Sequence, residues 1–106
     1  MHDERRLGPR RHLALEVMLN HRRLGLQRCH TRDISLEGLF VETNQLELRK
    51  NARVELLLKL PANGKPKQHR VKAKVVKVDK DGATLIFHKL DESTYTALVD
   101  LLYPAD

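Results

Sequence analysis

Asp33, Ser35 and Gly38 stand two and three positions apart in the stretch DISLEG at 33–38, and Arg5, Arg6, Arg10 and Arg11 crowd the stretch RRLGPRR at 5–11. A carboxylate such as Asp33 can accept a pair of N–H donors from the Watson–Crick edge of guanine, and a hydroxyl such as Ser35 adds one donor and one acceptor beside it. Gly38 suits a place where backbone must approach a flat ring or take a positive φ. An arginine fork matches the O6 and N7 acceptors of guanine or two phosphate oxygens equally well. An acid, a hydroxyl and a glycine in a tight loop, with an arginine arm ahead of them, therefore suit an anionic guanine nucleotide.

These residues resemble a known family. RRLGPR at 5–10 followed by DISLEG is similar to the PilZ domain signature, an RxxxR arm and a [D/N]xSxxG turn about a strand pair later. Arg6 and Arg10 match the first motif, and Asp33, Ser35 and Gly38 match the second. The weight falls on DxSxxG and on the order of the two motifs, because RxxxR recurs at Arg28/Arg32 and Arg49/Arg53. The runs GLFVET and VELLLKLP also look like PilZ strands, so the likeness covers nearly the whole chain.

The resemblance implies a receptor for cyclic di-GMP, a bacterial second messenger with two guanines and two phosphates, and no cofactor beyond that ligand. Arg6 and Arg10 would hold phosphates and a guanine edge, Asp33 and Ser35 the other base, and Gly38 would leave room. In the family an arginine at the position of Arg5 accompanies capture of two intercalated ligand molecules. Binding is expected to order the arm over the barrel, and output is expected in trans, on an unidentified partner protein.

Composition agrees with such a role. At 106 residues the chain holds one core and one domain, with 1–11 a flexible arm and 12–106 the barrel and helix. Lys+Arg 20 against Asp+Glu 14 leaves a formal net charge of +6, which favours anionic partners. The single Cys29 excludes an internal disulfide and is expected to face the core. The start MHDERR has no apolar h-region, and no run reaches the roughly 18 apolar residues of a membrane span, so a cytoplasmic protein without membrane insertion is expected.

Periodicity supplies the frame. Alternation places a half-buried strand at 12–20, with Leu13, Leu15, Val17 and Leu19 inward. A second strand follows at 25–31, whose phase change between Leu26 and Cys29 suggests a bulge or a handover between sheet regions. Further strands read at 38–42, 52–60, 69–79 and 83–88, with Leu46 and Leu48 tucked under the barrel edge. Pro61 is expected to end the fourth strand, 61–68 to form a long turn, and the doublet Val75/Val76 to shift the phase of the fifth. Asp81 and Gly82 are expected to take positive φ in a hairpin, and Asn51 stands where the family often has glycine. The tail at 91–103 changes to helical spacing at Tyr95, Leu98, Val99 and Leu102, with Asp91 or Ser93 as cap. The fold class is all-β: a six-stranded antiparallel β-barrel with a short C-terminal α-helix, closed so that no edge is exposed.

Two other readings weigh less. Ser35, His30 and Asp33 supply the letters of a hydrolase, but the odd separation of His30 and Asp33 sends them to opposite faces of a strand, and no nucleophile elbow or oxyanion loop is present, so no enzyme is expected. The alternative function is a nucleic-acid-binding small barrel of OB or cold-shock type, with Lys72, Lys74 and Lys77 as a stripe. Such barrels stack bases on aromatic rings, and this chain has no Trp, 2 Phe and 2 Tyr, which makes nucleic acid unfavoured as the main partner.

Overall fold

The computed structural model describes residues 10–43, 47–62 and 64–104. Seven strands lie in the order β1-β3-β2-β5-β6-β7-β4, and β4 pairs again with β3, so six of them close into an antiparallel barrel. They are β1 (Arg11–His12), β2 (Glu16–His21), β3 (Gly25–Ile34), β4 (Gly38–Glu42), β5 (Arg53–Ala62), β6 (Lys65–Asp79) and β7 (Gly82–Phe87). Helix α1 (Glu92–Leu102) follows. Closure leaves the two-residue β1 as a short extension beside β3.

Alternation builds the interior as expected: Val17 and Leu19 from β2, Leu39 and Val41 from β4, Val54, Leu56, Leu58 and Leu60 from β5, and Ala83 and Leu85 from β7. Cys29 also faces inward, and burial pushes its thiol pKa up, so it packs as a small apolar residue. Leu48 is buried, whereas Leu46 lies outside the described residues.

The strand expected at 12–20 is divided. Residues 13–15 leave the ladder, and Thr31 fills the gap: its hydroxyl donates to the Leu13 carbonyl and accepts from Leu15 N–H at 2.9 Å. The expected bulge between Leu26 and Cys29 is absent, because β2 and β3 keep one register from Gly25 to His30. Leu26 is simply exposed on the outer side. The handover does occur, four residues later: β3 pairs β2 up to His30 and β4 from His30 to Ile34, with a register shift between Thr31 and Asp33.

Pro61 does not end β5, which continues to Ala62 and pairs Pro61 with Pro66 and Ala62 with Lys65. Beyond Leu58 the strand no longer pairs β2, so a residue without an N–H is tolerated on that side. The long turn reduces to the two residues after Ala62, where Gly64 takes φ +82. In the β6–β7 hairpin neither Asp81 nor Gly82 has positive φ. Gly82 is required for a different reason, since a Cβ there would lie 2.0 Å from the Val41 carbonyl oxygen. Asn51 takes φ 74, a glycine-like conformation that asparagine tolerates.

Helix α1 closes one end of the barrel with Thr94, Ala97, Leu98 and Leu102, while Tyr95 points to solvent rather than joining the stripe. Asp91 is the N-cap, its Oδ1 accepting from Thr94 N–H at 2.7 Å. The Thr94 hydroxyl in turn meets Nδ1 of buried His69 on β6 at 3.0 Å, which ties the helix to the sheet.

Candidate functional site

The register shift in β3 creates the site. Thr31 pairs with Val41 and Ile34 with Leu39, both inward pairs, and between them Arg32 and Asp33 together oppose the single residue Phe40. Two residues against one is a β-bulge, and it turns Asp33 outward where plain alternation would have buried it. Phe40 alternates with Leu39 and Val41 and so faces outward too, yet it is buried, because the Arg32 guanidinium lies over its ring at 4.4 Å from the centroid. Arg32 Nε is fixed from the other side by Glu42 Oε2 at 3.3 Å. Arg32 was legible only as part of a second RxxxR pattern, and nothing in the letters marks it as a neighbour of Asp33.

β1 brings the arm to this bulge. His12 pairs with Asp33 and Arg11 with Ile34, so Arg10 emerges beside the DISLEG turn. Its Nη2 donates to Asp33 Oδ1 at 2.7 Å, with 40% of the arginine side chain exposed and 15% of the aspartate. The arginine end of the pair is open to solvent, so an anion can reach the Arg10 guanidinium without unburying it. Arg11 turns to the other side and donates from Nη1 to the Leu101 carbonyl at 3.0 Å, placing a cation at the C-terminal turn of α1. Arg5 and Arg6 lie outside the described residues.

The turn itself is built by Ser35. Its Oγ accepts from the N–H groups of Glu37 and Gly38, both at 3.2 Å, and Ser35 N–H donates to the Gly38 carbonyl at 2.8 Å. This is a serine turn, in which a hydroxyl replaces a backbone acceptor. Ser35 is buried, so its oxygen shapes the loop from beneath. The Glu37 carbonyl accepts from Phe87 N–H at 2.8 Å, which fastens the loop to the end of β7. Gly38 has neither a positive φ nor an open face: a Cβ would meet the Leu85 carbonyl oxygen at 2.0 Å. It makes room for β7, where the sequence suggested room for a ring.

The bulge also corrects the strand argument about catalysis. With an extra residue at Arg32, His30 and Asp33 both face outward instead of to opposite sides. Among the described residues, however, no hydrogen bond joins His30 to Asp33 or Ser35, and the Ser35 oxygen is held in its turn. The clefts of about 860 and 670 Å³ lie elsewhere, one on the outer face of β5 and β6 and the other between α1 and the β5–β6 hairpin, and neither is lined by Asp33.

An arginine arm paired to the aspartate of a DxSxxG turn, on a closed six-stranded barrel capped by a helix, defines the PilZ class of small receptor domains. The family profile described as PilZ domain matches residues 4–103, and the chain belongs to that family. Its members are cyclic di-GMP receptor and adaptor domains rather than enzymes. No curated protein sequence matches the chain. Among solved structures it is similar to the PilZ domain of CeSA from a cellulose-synthesizing bacterium, with TM-score 0.69 and 15% identity over 91% of this chain and 96% of that one. It is also similar to the Bacillus subtilis inhibitor of motility MotI/DgrA, with TM-score 0.75 and 19% identity over 88% of this chain and 46% of that one. These likenesses concern the fold. No helix among the described residues is long and apolar enough to cross a membrane.

Proposed function

We propose that this chain is a cyclic di-GMP receptor that changes conformation on binding and acts on a partner protein in trans. The observation that carries the reading is the Arg10–Asp33 contact of 2.7 Å at the base of the arm, beside the Ser35 turn. Asp33 has lone pairs to spare beyond the Arg10 bond and accepts the N–H pair of one guanine. The Arg32 guanidinium, held over the Phe40 ring, offers a cationic surface for a base to stack on. Arg5, Arg6 and Arg10 take the phosphates and a second guanine edge. Ser35 and Gly38 serve the ligand indirectly, by fixing the path of the loop that carries Asp33. Ligand draws the arm over the barrel, and Arg11 transmits that movement to the C-terminal turn of α1.

Calorimetric titration with cyclic di-GMP, GTP and a short single-stranded oligonucleotide tests this. Saturable binding of cyclic di-GMP in preference to the others is expected, with slowed hydrogen exchange at residues 5–12. No heat with cyclic di-GMP beside clear oligonucleotide binding would transfer the chain to the nucleic-acid class.

A further inference from the structure

A second anionic partner is written into the register of the opposite side of the barrel. β6 lies three strands from β3 in either direction round the closed sheet. On its outer face Arg53 of β5 sits directly across from Lys74 of β6. Like charges in directly opposed positions destabilise a sheet. Arg22, which follows the His21–Val54 pair at the end of β2, continues the row and lines the same cleft of about 860 Å³ together with Lys72.

The bulge in β6 lengthens this row into a track. Two residues, Val76 and Lys77, oppose the single Thr84. Thr84 and Ile86 stand two apart on β7, so their partners Lys77 and Lys74 share one face, and Lys72 joins them by simple alternation. Without the extra residue Lys77 would turn to the other side of the sheet. With one residue taken up by the bulge, Lys72 to Lys77 spans about 13 Å at strand rise, longer than a single phosphate group requires. Glu55, the one carboxylate lining the cleft, stands directly across from Lys72 and pairs with Arg70 at 3.5 Å, so it offsets one charge of the row and leaves Arg53, Lys74 and Arg22 unopposed. Among the described residues no carboxylate forms an ion pair with Arg22, Arg53, Lys72 or Lys74.

We infer that this face of β2, β5 and β6 binds the phosphate backbone of duplex nucleic acid without reading its sequence. An acidic protein surface would also answer the charge, but the evenly spaced row of cations with no exposed aromatic or apolar residue among them suits a regular line of phosphates better than the mixed anchors of a protein interface. The cleft offers as apolar lining only Val54 and Ala73, both buried. The exposed aromatic residues Tyr95 and Tyr103 belong to the helix end instead. Lack of aromatic rings disfavours stacking on single-stranded bases, and it is immaterial to backbone contacts, which need only guanidinium and ammonium groups. The face is separate from the Arg10–Asp33 site, so this inference stands or falls independently of the cyclic di-GMP reading.

Fluorescence anisotropy with the full chain and a short, labelled, mixed-sequence DNA duplex at low salt is the test, with a polyglutamate peptide as competitor. Binding is expected with a log–log salt slope of about −4.5, from roughly five neutralised phosphates. Arg53→Gln with Lys74→Gln should weaken it at least about tenfold and make the slope shallower by about two. Lys65→Gln with Lys67→Gln removes the same charge from the other end of β6 and should change affinity less than about twofold. Both side chains of the first pair are exposed, and a cooperative melt at or above the parent's temperature, as relief of the opposed charges requires, shows that the double variant is folded. Absence of duplex binding, salt-independent binding, equal loss in the two double variants, or polyglutamate competing as well as unlabelled duplex would each overturn the inference.

Discussion

Adding a methyl group at Gly38 would set a Cβ 2.0 Å from the Leu85 carbonyl oxygen and 3.0 Å from the Ile86 Cα, both backbone atoms that cannot rotate away. Gly38→Ala is therefore expected to force β4 from β7 and lower stability by about 2 kcal/mol or more, as overpacking of a tight site does. Chemical denaturation measures this, and a variant as stable as the parent would show that the strands can separate freely. At this scale the residue types of the loop were legible while their roles were not. Asp33 faces outward at the bulge, where its carboxylate pairs with Arg10. Ser35 and Gly38 matter because the loop must be built and β7 must pass, and such internal contacts leave no mark on a motif that a ligand also explains.

Elements were legible where alternation is unbroken, as in β5, and misread where a chain changes phase. A bulge is one extra residue, so the apolar pattern records that a shift has happened without saying where. The Leu26–Cys29 irregularity pointed to the right strand and the wrong residue, since the true bulge lies at Arg32 and depends on pairing with β4. The doublet Val75/Val76 marked its bulge closely because both neighbours are apolar. Pro61 misled for a related reason: whether proline ends a strand depends on which side still has a partner, a fact of topology. The α1 cap, by contrast, was local and readable. Thr94, through its hydroxyl first and its backbone N–H second, holds the Asp91 carboxyl below its ordinary value of 3.8. A native pKa below the unfolded one means that the cap contributes fully above that value and is lost as acid protonates the native carboxylate. Thermal melts followed into acid should show Asp91→Asn losing less stability than the parent on that limb, because asparagine caps without titrating. Equal losses in both would remove Asp91 from the acid response.

For the whole molecule, closure of six strands with a helical cap followed from the count of alternating runs and the need to hide sheet edges. The meeting of Arg10 with Asp33 across 23 positions was reachable only through the family resemblance, since no periodicity predicts it. Charge among the described residues divides into two faces, Arg10 beside Asp33 on the β3 side and the Arg53–Lys74 row opposite. The arm carries a stoichiometric prediction. A stacked ligand pair gathers four phosphates, and a further guanidinium from Arg5 offsets their repulsion and covers the outer guanine. Two ligands per chain are expected, falling to one in Arg5→Leu with the barrel unchanged. Saturation of the parent at one ligand, well above the dissociation constant, would return Arg5 to the solvated surface.

The claim that an arm-and-turn site holds the nucleotide is tested most directly by titrating cyclic di-GMP into Arg10→Ala, Asp33→Ala and Arg49→Ala beside the parent chain. Arg10 and Asp33 each supply a charge-assisted contact, so each loss should weaken binding by about 1.5–3 kcal/mol with the fold intact. Arg49→Ala, at the start of the third RxxxR pattern just before β5, should leave binding like that of the parent. Equal losses at Arg49 and Arg10 would show that overall charge rather than this site attracts the ligand, and undiminished binding in Asp33→Ala would contradict the account outright.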